Sequence, residues 1–182
     1  MSVFTNPASS SKEQGKEYTA AVIGLVGDRQ PLAILSTTES RLRDAVRDLS
    51  EAQLARPEAA GKWSINHVLR HLADSEIVWG WRLRMVLAHD RPQITGYDQD
   101  AWADRLKYGE ANAQESIAEF AVLRAGNLRL LRQATPEDMK RYGVHSERGE
   151  ESVAHMMKLY AGHDLLHLNQ VERIVNKFNK LT

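Results

Sequence analysis

From residue 30 onward the apolar residues of this chain recur at spacings of three and four, and no stretch alternates apolar with polar residues for long enough to make a half-buried strand. That periodicity points to an all-α fold. The first long helix starts near Pro31, whose ring suits a first helical position, and puts Leu32, Leu35, Leu42, Val46 and Leu49 on one stripe. A loop follows around Arg56-Pro57 to Gly61. Ser64 then N-caps a second helix that runs to about Ala88 with Ile65, Val68, Leu69, Leu72, Trp79, Leu83 and Val86 facing inward. His89 to Gly109, with Pro92, Gly96 and a helical turn at Asp98 to Leu106, reads as a lid across one end of the helices. Asn112, with Glu115 three residues on, opens a third helix carrying Ile117, Phe120, Leu123, Leu128 and Leu131. After a capped turn at Thr135 to Asp138, Gly143 and Gly149 bracket a polar loop, and a last helix spans about Glu151 to Phe178.

Four amphipathic helices bury their stripes most simply as a four-helix bundle, here over residues 30–182, with residues 1–29 as an extension holding a shorter fifth helix. A chain of 182 residues buries a core without covalent staples. It contains no cysteine, so any metal must be held by histidine or carboxylate. Lys plus Arg and Asp plus Glu are 24 each, a balance that offers no net field for nucleic acid or an anionic membrane. Met1 to Gln14 is Ser-rich and lacks the basic and apolar regions of a secretory signal, and no run of about 18 apolar residues spans a bilayer. The cytoplasm is the expected location.

The distribution of the seven histidines is the most informative chemical feature. His67 and His71 are four apart on the second helix, and His163 and His167 are four apart on the last. That spacing stacks two imidazoles on one helix face, within reach of one ion. His163 and His167 continue the buried stripe of Tyr160, Val171 and Ile174. His71 lies at the edge of the apolar face of its helix, whereas His67 is rotated roughly another 40° away, which favours His71 as a third ligand. Three neutral nitrogen ligands leave a position open for water or substrate, the pattern of a catalytic site. The competing reading makes them core or surface histidines satisfied by hydrogen bonds. A di-iron site lacks its Glu-x-x-His pairs, and His163-Asp164-Leu165-Leu166-His167 resembles the zincin helix only with Asp in place of Glu.

Glu39 interrupts the first stripe, and Arg124 and Asn127 project into the third, so they either pair internally or line a wet pocket near the metal. Asp164, beside His163, either orients a ligand imidazole or is simply solvated. Ile77 and Trp81 stand opposite the core stripe of the second helix, an apolar patch that fits the N-terminal helix or a second subunit.

The ordered set Gly61-Lys62-Trp63-Ser64-Ile65, His71-Leu72-Ala73-Asp74-Ser75-Glu76, Arg124, His145-Ser146-Glu147-Arg148-Gly149 and His163-Asp164-Leu165-Leu166-His167-Leu168-Asn169-Gln170 resembles the DinB/YfiT-like family of metal-binding four-helix bundles. The resemblance implies a divalent metal, zinc or nickel before iron or manganese, on one histidine of the second helix and two of the last; by motif these are His71, His163 and His167. It also implies hydrolysis, or transfer reactions that use low-molecular-weight thiols. The expectation is therefore a homodimeric enzyme in which the metal activates water or thiol toward a small-molecule substrate, with Arg124, Asn127 and Glu39 as candidate substrate contacts. The alternative is a non-catalytic metal-stabilised bundle that binds a small ligand or a protein partner.

Overall fold

A computed structural model describes residues 12–179. Most of the Ser-rich start, from which the lack of a secretory signal is read, lies outside the described residues. The elements run α1 (Lys12–Gly24), α2 (Pro31–Val46), α3 (Glu51–Ala55), α4 (Ile65–Ala88), β1 (Gln93–Ile94), α5 (Gln99–Arg105), α6 (Ala113–Gln133), β2 (Tyr142–His145), β3 (Gly149–Ser152) and α7 (Val153–Asn179). Proline or a polar cap marks several helix starts. Pro31 stands at the first turn of α2, Asp98 caps α5, and Asn112 Oδ1 accepts the backbone N–H groups of Gln114 and Glu115 at the start of α6.

The four long helices α2, α4, α6 and α7 form the bundle. Both α2 and α4 pack against α6 and α7, so these two helices, consecutive long ones in the sequence, stand diagonally and not side by side. The arrangement makes α4 and α7, the helices that carry the paired histidines, direct neighbours. Two apolar clusters fill the interior: one around Leu42, Leu69, Ile117 and Val171, the other around Leu35, Leu83, Leu131 and Met156. Buried polar residues interrupt the apolar faces of all four long helices: Thr38, Glu76, Arg124, Asn127 and Asp164. Helix α1 packs against α7 and buries Val22 fully, as the turn after it does Val26. A Cβ on Gly162 would lie 2.1 Å from the Val22 carbonyl oxygen, so a glycine is what lets the two backbones approach this closely.

A small sheet corrects the purely helical expectation. β1 pairs in parallel with β2, and β2 pairs antiparallel with β3, with Ile94 opposite His145 and His145 opposite Gly149. Strands of two and four residues are too short to show an alternating pattern, and the glycines that read as loop punctuation lie inside the hairpin. Gly149 closes the turn at φ +85°, a left-handed conformation that other residues rarely adopt. The short α3, capped reciprocally by Ser50 and Gln53, lies between the first stripe, which ends at Leu49, and the loop from Arg56, where the sequence pattern marks no element. No described helix is long and apolar enough to cross a membrane.

Candidate metal centre

Each histidine of the cluster is placed by its helix. His71 faces inward from the second turn of α4, and His163 and His167 occupy successive turns of α7, with ring centroids 4.5 Å apart. The His71 ring is 5.2 Å from that of His163 and 4.8 Å from that of His167. One ligand atom from each of the three lies within 4.8 Å of the others. His71 Nε2 and His163 Nε2 are 3.1 Å apart, close to the ~3.3 Å edge of a tetrahedron with metal–nitrogen bonds of about 2.0 Å.

The protonation state suits a metal. Burial is the first cause holding all three imidazoles neutral: His71 and His163 are pushed well below the ordinary histidine range, and His167 is pushed down to about 4. His167 Nδ1 is 2.9 Å from Gln170 Oε1, which accepts only from an N–H, so Nδ1 carries the proton and Nε2 keeps its lone pair. Three buried, neutral, converging nitrogens fit a divalent cation of borderline softness. Histidine ligands accommodate zinc or nickel equally well in kind, and nothing in the donor set separates them.

His67 goes elsewhere. Its Nδ1 faces the Ser64 backbone N–H at 3.4 Å, and the Ser64 hydroxyl accepts the His67 backbone N–H at 3.4 Å, a reciprocal cap at the start of α4. Its ring stacks on Trp63.

Of the three candidate substrate contacts, Arg124 and Asn127 converge on Glu76, and Glu39 stands apart. Glu39 sits at the rim of α2 and pairs with Arg43 at 2.6 Å. Thr38, one residue earlier, holds the inward position and donates to Asp164 Oδ2 at 2.6 Å. Arg124 is buried under the cluster. Its Nη1 donates to Asp164 Oδ2 at 2.6 Å and to the Leu35 carbonyl at 2.8 Å, and its Nη2 to Glu76 Oε1 at 2.8 Å and Asp164 Oδ1 at 2.9 Å. All four Nη hydrogens are thereby occupied. Asn127 Nδ2 donates to Glu76 Oε2 at 3.0 Å, and its Oδ1 accepts from Arg84 at 2.8 Å. The Phe120 and Trp79 rings lie 4.5 and 5.6 Å from the guanidinium carbon. Burial opposes the Arg124 charge, yet Asp164 and Glu76 more than offset it and hold the guanidinium protonated. Of these partners, sequence reasoning missed Thr38 and Glu76. The available signal for Glu76 was its place five residues after His71, among the inward positions of α4.

A family model described as the DinB superfamily matches residues 34–171. The chain belongs to the DinB superfamily. Among relatives of this DinB-superfamily protein, an Oceanobacillus iheyensis protein named "putative metal-dependent hydrolase" is 30% identical over 136 residues, which cover 75% of this chain and 78% of the relative. YfiT of Bacillus subtilis, under the same heading, is 27% identical over 78% of this chain and 82% of its own. The solved YfiT structure, described as having an unusual four-helix bundle topology, superposes with a TM-score of 0.76 at 26% identity, covering 94% of this chain and 91% of that one. A second solved four-helix bundle protein shares the fold at a TM-score of 0.58 and 22% identity, over 79% of this chain and 96% of its own.

Proposed function

We propose that this DinB-superfamily protein is a metal-dependent hydrolase of a small molecule, with His71, His163 and His167 holding a divalent ion, zinc or nickel. The observation that carries the reading is the convergence of three buried, neutral imidazoles to within 4.8 Å with no fourth side-chain ligand beside them among the described residues. A divalent ion there supplies Lewis acidity toward water or an added thiol. The chain's own contribution is positional. Gln170 fixes the His167 tautomer, and the Arg124–Asp164 pair anchors α7 one residue past His163. The bundle of residues 30–182 is the functional unit in this reading, residues 1–29 form an extension to it, and Ile77 and Trp81, 46% and 63% exposed, are the seam of a homodimer.

The test is metal analysis of the purified protein followed by ester, amide and thiol-transfer screens with and without chelator. The expected result is near-stoichiometric divalent metal and chelator-sensitive hydrolysis. Turnover only with added thiol would make it a transferase. Metal without any turnover would make it a binding protein, the alternative that the sequence leaves open.

A further inference from the structure

A second group of buried polar side chains lies beyond Ser75 from the histidine cluster, and the reading above gives it no role. The end of β1 assembles it. Ile94 is in register with His145 of β2, the neighbouring Thr95 carbonyl accepts from Arg82 Nη2 at 2.7 Å, and Tyr97 Oη lies 3.3 Å from Ser75 Oγ. Ser75 Oγ is in turn 3.4 Å from His71 Nε2, so one serine separates Tyr97 from the candidate metal ligands.

Two features of this group ask for a ligand. His145 is 2% exposed, and its Nδ1 accepts the Glu147 backbone N–H at 3.2 Å, which leaves the ring proton on Nε2. That Nε2 is buried with no partner, an N–H donor of a kind that folded proteins seldom leave unsatisfied. Arg82, 5% exposed, has no carboxylate partner among the described residues. Arg148, at the half-buried edge, is matched by Glu151, which takes its Nε and Nη2 at 2.5 and 2.9 Å. Glu147 also acts on the Arg148 charge, so the positive charge left without a bonded carboxylate is that of Arg82. His145 adds none, being held neutral down to about pH 4 by burial and by the Arg148 and Arg82 charges. Tyr97 keeps its proton as well, since burial raises its pKa.

We infer that Arg82 and His145, with Arg148 at the rim, form a carboxylate subsite that holds the anionic end of the substrate beside the three-histidine cluster. One buried guanidinium without a carboxylate partner and one neutral N–H donor match a monoanionic carboxylate better than a phosphate dianion. Only the identification of that anion as the substrate's rests on the proposed hydrolase; binding itself is independent of the metal.

The experiment is therefore run on full-length protein stripped of metal, where an added anion has no ion to ligate. Acetate, benzoate and inorganic phosphate are titrated while the His145 ring nitrogens are followed by NMR. The expected result is saturable binding of both carboxylates, tighter than phosphate at neutral pH, with the His145 Nε2 resonance moving. Arg82→Gln and His145→Gln should each weaken carboxylate binding about tenfold or more, the loss of one charge-assisted hydrogen bond, and Arg82→Lys should weaken it less. His71→Ala should abolish metal uptake yet leave carboxylate binding within about threefold of the parent, since the two sites share no side chain. Absence of saturable carboxylate binding to the folded parent overturns the subsite, as does unchanged binding in folded Arg82→Gln and His145→Gln. Failure to take up metal while carboxylates still bind overturns the hydrolase reading alone.

Discussion

Replacing Arg124 by Met puts the buried polar layer to a quantitative test. Arg124, Glu76 and Asp164 have side chains 3%, 1% and 1% exposed, and the guanidinium bridges both carboxylates. Methionine fills much of the same volume but leaves two carboxylates facing each other in a dry interior. Breaking a buried ion pair from one side costs about 3–5 kcal/mol. For a chain of 182 residues the unfolding entropy is about 0.4 kcal/mol per degree, so Arg124→Met should lower Tm by roughly 8–13 °C. The charge itself is tested by the triple variant Arg124→Met, Glu76→Gln, Asp164→Asn, which removes both stranded charges and should recover all but about 1–2 kcal/mol. Acid should narrow the deficit of the single variant. Glu76, whose pKa burial already raises, loses its Arg124 partner and binds a proton in the folded variant before the unfolded chain does, so the variant's stability relative to the parent rises as pH falls from 8 toward 5. The assay is thermal and guanidinium unfolding followed by circular dichroism. A single variant that loses under about 1 kcal/mol, or a triple variant no more stable than the single one, would show that water already reaches this layer and that the ion pairs do not organise it.

His67→Ala should leave metal stoichiometry unchanged and cost about 0.5–2 kcal/mol through the lost cap at the start of α4; metal loss equal to that of His71→Ala would move the ligand set one turn. Chelation should lower Tm while helical circular dichroism persists at room temperature, by roughly 7 °C if free metal stands at about a hundred times its dissociation constant, and complete unfolding would make the metal structural. For metal-free protein, His145 and His167 titrate near 4 when folded and near 6.5 when unfolded, so the unfolded chain gains protons first on acidification. Stability is then full above pH 6.5 and should fall by up to about 1.4 kcal/mol per pH unit for each of them between 6.5 and 4; a flat denaturation midpoint across that window contradicts their burial. Sedimentation should give about twice the 20.5 kDa chain mass, and Trp81→Arg should return it to the single-chain value.

The sequence alone determined the helical class and which faces would be buried, because a stripe repeating every three to four residues can hide only as a helix. It also determined which histidines point inward: His71, His163 and His167 share inward faces, and His67 does not, since side-chain direction on a helix follows from residue number. What tertiary structure decided concerns contacts between segments far apart in the chain. The diagonal placement of α2 and α4 has no local cause, yet it makes α4 and α7 neighbours and thereby brings His71 to His163. The partners of Arg124, the Leu35 carbonyl, Glu76 and Asp164, come from three different helices, and nothing local in the sequence joins them to it. The hairpin that delivers His145 is four residues a side, and its place beside Arg82 depends on a two-residue strand that only the packed bundle holds in register. Periodicity reports which way a side chain points, and it cannot report what stands opposite, because that is set by how the helices close on one another.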